Sequence, residues 1–170
     1  MVKSLFLTIT LSCAHVWGTI PTQILIEAAK TNDVATMEAC LRENKSIYVQ
    51  DEEGNTPLHI TAQQANTVGI KALASAAPLN WNIKNKQGET PVHAAVRGGS
   101  TVILSYLLRN GGNPRATCNN GFTPLSLALT FKNGEMLKVL WAYGARPMSL
   151  KDHILFYRIG SRKLAYCSKL

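Results

Sequence analysis

The sequence predicts an all-α repeat solenoid, a stack of helix–turn–helix units joined by hairpin loops. Three observations lead there. The segments Gly54-Asn55-Thr56-Pro57-Leu58-His59, Gly88-Glu89-Thr90-Pro91-Val92-His93 and Gly121-Phe122-Thr123-Pro124-Leu125-Ser126 repeat one pattern, with their prolines 34 and 33 residues apart. Self-similarity at such a period marks a repeat architecture. Each segment is followed by two short helical patterns, the later ones closing on Leu107-Leu108 before Gly111-Gly112 and Leu140-Trp141 before Gly144-Ala145. The composition, 46% hydrophobic and 16% charged, is that of a chain that folds rather than one that stays disordered.

In chain order, residues 1–18 come first. Lys3, an uncharged apolar run from Ser4 to Ala14, and small residues near the end make the three-part layout of a secretory signal peptide. The run is too short for a spanning helix. The alternatives are a helix packed on the array, or a membrane anchor, either the leader left uncleaved or a lipid on Cys13 after Thr10-Leu11-Ser12. Export to the periplasm or the exterior is the expectation. Residues 19–150 form the array, in repeats of about 19–50, 51–84, 85–117 and 118–150. The first has no Thr-Pro box, but Ala28-Ala29 occupies the first-helix slot, and Val34, Met37, Cys40 and Leu41 line the second. In the others the threonine caps the first helix, and proline at its first position gives up no hydrogen bond. Ala62, Ala94, Ala95 and Ala128 let neighbouring helices approach closely. The second repeat holds one extra residue, expected near Pro78–Trp81, with Trp81 in the core. Ser149-Leu150-Lys151-Asp152 reads as a capping box that opens a terminal helix within residues 151–170, since the last unit of a solenoid needs a cover.

These residues resemble the ankyrin repeat, a unit of a β-turn and two antiparallel helices. The resemblance covers about residues 22–150: the turn glycine, the Thr-Pro-Leu-His box, the alanine-rich first helix and the closing Gly-Ala all fall at the family's offsets. It implies that the box histidine bonds within and between adjacent hairpins, so His59 and His93 are structural rather than a metal pair. Ser126 in place of the third histidine is expected to loosen the last hairpin. Thr61 and Pro114 also depart from the pattern.

Charge is divided unevenly along the chain. Residues 19–83 carry four basic and seven acidic side chains, residues 84–170 thirteen basic and three acidic, and Lys3 completes the net +8. A basic half can steer a protein toward an acidic surface. Nothing in the sequence suggests catalysis. No GxSxG, HExxH, phosphate-binding glycine loop or paired CxxC occurs, and Asp51, Glu52 and Glu53 are neighbours on a turn rather than an opposed acid–base pair. No cofactor or metal is expected. Cys40, Cys118 and Cys167 are too widely spaced for a metal knuckle and, being three, make no complete disulfide framework.

The resemblance places binding on a concave face made by the hairpin tips and the exposed side of each first helix. The tip residues are Glu52, Glu53 and Asn55, then Lys86, Gln87 and Glu89, then Asn119, Asn120 and Phe122; the helices add Gln63 and Gln64, then Arg97, then Thr130 and Phe131. Arg97 and Phe122 are the expected anchors, because arginine and aromatic residues dominate hot spots. The partner is another protein, held by a monomer, with no nucleic acid expected. The alternative is that the basic C-terminal half (Arg146, Lys151, Arg158, Arg162, Lys163 and Lys169) docks on an anionic membrane or nucleic acid.

Overall fold

The structure, a computed structural model, describes residues 20–43 and 46–147. The expected signal segment with Cys13, the capping helix and basic tail of 151–170, and Cys167 lie outside the described residues. Within them, eight helices form four pairs: α1 (Ile20–Thr31) with α2 (Val34–Arg42), α3 (Pro57–Gln63) with α4 (Thr67–Ala76), α5 (Pro91–Gly98) with α6 (Thr101–Arg109), and α7 (Pro124–Thr130) with α8 (Gly134–Ala142). The first helices stack in the order α1, α3, α5, α7; the second helices stack α2 on α4 and α6 on α8. No strand occurs among the described residues, and the hairpin loops are tight closed turns.

Each pair follows from local chemistry. Thr56, Thr90 and Thr123 stand in extended conformation before the Pro at the first position of α3, α5 and α7, and each forms a capping box with the residue three places on, His59, His93 or Ser126. The second helices open on Asp33, Asn66, Ser100 and Asn133, whose side-chain oxygens each accept the N–H three residues on. The bend between paired helices requires a left-handed residue, Gly99 in one layer and Asn32, Ala65 and Lys132 in the others.

The core runs the length of the stack. Leu25, Met37, Leu73, Leu104, Leu107, Leu125, Met136 and Leu140 are wholly buried, as are Ala29, Ala62, Ala95 and Ala128 between the first helices. Thr61, where the pattern favours alanine, is buried at no polar cost because its hydroxyl donates to the Pro57 carbonyl at 2.8 Å. The closest approach is at Gly98, where a Cβ would lie 2.0 Å from the Gln63 carbonyl oxygen, so α5 can pack on the end of α3 only with glycine there. The extra residue of the second repeat falls slightly before its expected place. Helix α4 has ten residues against nine in α6 and α8, and it ends on an extended Ala77 ahead of Pro78. Trp81 is half-buried, packing edge-on against Tyr106 with ring centroids 6.1 Å apart. No helix among the described residues is long and apolar enough to cross a membrane.

Candidate partner-binding face

Three five-residue turns, 51–55, 85–89 and 118–122, project from the stack, and each closes in the same way. The first N–H donates to the fifth carbonyl, at 3.0 Å in all three, and the fourth residue, a glycine with positive φ, donates back to the first carbonyl. In the first two turns the leading side chain does further work. Asp51 Oδ1 accepts from the N–H groups of Glu53 and Asn55 at 3.0 and 2.8 Å; Asn85 Oδ1 accepts from Gln87 and Glu89 at 3.0 and 2.9 Å. This is the Asx device for holding a turn. In the third turn Cys118 stands at that position.

The turns are also bonded to one another. Lys86 N–H donates to the Glu53 carbonyl at 3.1 Å, and Asn119 N–H to the Gln87 carbonyl at 2.9 Å. Asn85 Nδ2 reaches Asn55 Oδ1 at 2.8 Å, and the Lys86 ammonium donates to the Glu52 carbonyl at 2.7 Å. A Cβ on Gly54 would lie 2.7 Å from Lys86 N, so the contact between neighbouring tips demands glycine as well as the positive φ does. The tips thus make one continuous edge.

Beneath that edge, His59 and His93 tie the turns to the helices. Thr56 N–H donates to His59 Nδ1 at 3.3 Å, which leaves the proton on Nε2 to donate to the Glu89 carbonyl of the next turn at 3.0 Å. His93 repeats this with Thr90 N–H and the Phe122 carbonyl, at 3.2 Å each. Burial pushes both imidazoles below their ordinary pKa, against the opposing pull of those carbonyls and of Glu89, and so favours the neutral ring. With both nitrogens of both rings engaged, the two histidines are structural pins rather than metal ligands. Ser126 keeps the local half of this arrangement: its hydroxyl accepts Thr123 N–H at 2.7 Å.

The residues expected on the face are all exposed or half-buried, but they are not gathered in one place. A broad depression of about 1270 Å³ brings together Glu52, Glu53, Asn55, Gln63 and Gln64. It also draws in Gln23, Ile24, Glu27 and Lys30 from α1, residues that the sequence reading did not select. A signal was available in the spacing: Lys30, Gln63, Arg97 and Thr130 are 33, 34 and 33 residues apart, one column of equivalent positions. Gln64 is partly committed, its amide donating to the Lys30 carbonyl at 2.7 Å.

Lys86, Gln87, Glu89, Arg97, Asn120, Phe122 and Phe131 lie outside the depression. Arg97 is held by Glu89, its Nε 3.2 Å from both carboxylate oxygens, so as an anchor it would present an ion pair rather than a lone cation. The equivalent pair is Asn55 and Gln63 one layer earlier, and Phe122 and Thr130 one layer later; the same two positions change from amides to an ion pair to an aromatic and a hydroxyl. Phe122 and Phe131 are 45% and 52% exposed, but they flank opposite ends of α7 and do not form one aromatic site.

In the described part of the basic half, guanidinium groups brace the last two layers. Arg109 Nε donates to Tyr143 Oη at 3.2 Å, Arg115 Nε to the Gly144 carbonyl at 2.8 Å, and Arg146 lies 4.4 Å from the Trp141 ring centroid. Lys151, Arg158, Arg162, Lys163 and Lys169 lie outside the described residues.

Comparison with known proteins agrees with this architecture. The family model described as "Ankyrin repeats (3 copies)" matches residues 65–150. The chain is 30% identical over 123 residues to the human transient receptor potential cation channel subfamily A member 1, a match covering 71% of this chain and 11% of that protein. It is 29% identical over 135 residues to the ankyrin repeat, SAM and basic leucine zipper domain-containing protein 1 of Dasypus novemcinctus, covering 75% of this chain and 28% of that protein. The chain therefore spans well under two thirds of either relative.

Proposed function

The chain belongs to the ankyrin-repeat family, and from that premise we propose that it is a non-catalytic module that grips a protein partner in its concave face. Ankyrin repeats generally mediate protein–protein interaction. The observation that carries the reading here is the depression of about 1270 Å³ below the bonded row of tips. It exceeds the roughly 300–1,000 Å³ usual for a small-molecule pocket, is open, and combines side chains from a turn and two first helices. A monomer that leaves this face clear for its partner fits the arrangement. Export, as scaffold, inhibitor or host-directed protein, rests on the leader-like residues 1–18; N-terminal sequencing of the protein from its native host tests it, and an intact Met1 would argue against cleavage.

The test of the face is crosslinking and pull-down from that host, repeated with Arg97→Ala and Phe122→Ala and with Lys71→Ala on the exposed side of α4 as a control. Capture should fall about tenfold or more for at least one of the first two, as hot-spot truncations do, and be unchanged for the control. Undiminished capture by both would place binding outside the third and fourth layers of the face.

A further inference from the structure

The depression at the N-terminal end of the face has a chemistry of its own. Its walls carry the carboxylates of Glu27, Asp51, Glu52 and Glu53 against a single basic side chain, Lys30. That cation is already drawn to Asp51, at 3.8 Å, and Asp51 also accepts the two turn N–H groups. Glu53 receives the Asn55 amide on one oxygen, at 3.0 Å. Glu27 and Glu52 have no partner for their carboxylates among the described residues, and both are exposed. The Lys86 ammonium, just beyond the rim, is spent on the Glu52 backbone carbonyl rather than on its side chain. Between these carboxylates the lining mixes the aliphatic side chains of Ile24, Val49 and Ile60 with the amides of Gln23, Gln50 and Gln63.

A partly aliphatic floor with an unneutralised acidic rim matches one side-chain type better than any other. Lysine and arginine lay a hydrocarbon stem on apolar surface and keep the charged head at its edge. A small cation would gain nothing from the floor, and an apolar segment would strand the carboxylates without partners. We infer that this depression selects a lysine- or arginine-rich segment of the protein partner, its stems on Ile24, Val49 and Ile60 and its cations on Glu27, Glu52 and Glu53. The inference rests on the concave-face reading above and names the chemical class of partner for that face. It also assigns the two ends of the face different roles, a charged clamp at the first two layers and an aromatic contact at the last.

The experiment uses the full chain and a short fluorescein-labelled peptide alternating leucine with lysine, beside a leucine–glutamate counterpart, read by fluorescence anisotropy. The lysine peptide should bind, weaken steeply as salt rises, and lose at least tenfold in affinity to the triple variant E27Q/E52Q/E53Q. The exposed positions of these residues make that variant's circular dichroism the expected match to the parent. Lys71→Ala, on the exposed side of α4 and away from the face, should leave peptide binding unchanged. Equal affinity for the two peptides, or for parent and triple variant, overturns the proposal. If a native partner is recovered whose capture depends on Arg97 or Phe122 but not on the three carboxylates, the concave-face reading stands and this one falls. Concentration-dependent self-association in sedimentation velocity, abolished by the triple variant, would assign the depression to a second copy's basic half and likewise overturn it.

Discussion

The second and third layers (residues 51–84 and 85–117) and the fourth (from 118) share a turn, a threonine cap and two helices, yet they are fastened differently. In the second and third, an acidic or amide side chain, Asp51 or Asn85, holds the turn from within, and a buried histidine carries the bond onward to the next turn's carbonyl. In the fourth, Cys118 and Ser126 occupy those two positions. Ser126 satisfies the cap, and among the described residues its hydroxyl bonds only to Thr123; the layer that a histidine here would face lies outside the described residues. The repeated box therefore serves two separable purposes. Threonine and proline start a helix, which any layer can do alone, whereas histidine couples layers, and only coupling makes the face one rigid surface.

Removing the pins should expose that difference most strongly. His93→Ala takes away a wholly buried ring, strands the Thr90 N–H and the Phe122 carbonyl, and leaves a cavity between layers. Unsatisfied buried groups and lost packing together should cost about 3 kcal/mol. Ser126→Ala removes only a local cap and should cost about 1 kcal/mol. Urea denaturation of both variants checks the ranking; equal losses would mean that the histidine acts as a cap alone.

Titration offers a second, smaller break. In the unfolded chain each imidazole takes up a proton near its ordinary value of 6.5, whereas in the fold burial holds both His59 and His93 below it. As pH falls below about 6.5 the unfolded chain binds more protons, so stability that is fully present above that pH is lost as pH falls through the folded values. Asp33, held low by Thr36, titrates below this window, since it starts from 3.8. His93→Gln keeps an acceptor for the Thr90 N–H, as Gln at this position of a capping box does, but removes one titrating group. Its denaturation midpoint should therefore change roughly half as much between pH 7.5 and 5.5 as the parent's does. An unchanged slope would mean that the loss comes from other groups.

The parts of the molecule legible in its sequence are those that repeat. Three boxes at steps of 34 and 33 residues establish the register, and the register places helices, caps and the buried alanines. What escaped lies where the pattern lapses or where contact crosses layers. Glu27 and Lys30 sit in a first repeat with no box to align it, so only the 33-residue step from Lys30 to Gln63 marks their place beside Glu52. Arg97 pairs with Glu89 eight residues back, across a helix and its cap, a closeness that helical spacing does not suggest. Phe122 and Phe131 look like neighbours by number, but seven helical residues separate them at about 1.5 Å each. The extra residue of the second repeat, expected near Pro78–Trp81, lies just before it, in α4, which runs one residue longer and stops ahead of Pro78.

The smallest expected effect addresses the last turn directly. Cys118 stands where Asp51 and Asn85 accept two turn N–H groups each, and a thiol is a poor acceptor. The backbone is already in place: Cys118 N–H bonds to the Phe122 carbonyl at 3.0 Å and Gly121 N–H to the Cys118 carbonyl at 2.9 Å, as in the other turns. Cys118→Asn should therefore supply a side-chain oxygen to the N–H groups of Asn120 and Phe122 without moving the chain. One or two modest hydrogen bonds, less the cost of fitting an amide at a buried site, should add about 0.5–1 kcal/mol. Amide hydrogen exchange reads this locally: Asn120 and Phe122 should slow in the variant while Glu53 and Gln87, already bonded to Asp51 and Asn85, do not change. If exchange at 120 and 122 is unaffected, the weaker fastening of the fourth layer comes from the missing histidine alone, and the leading residue of the turn contributes nothing to it.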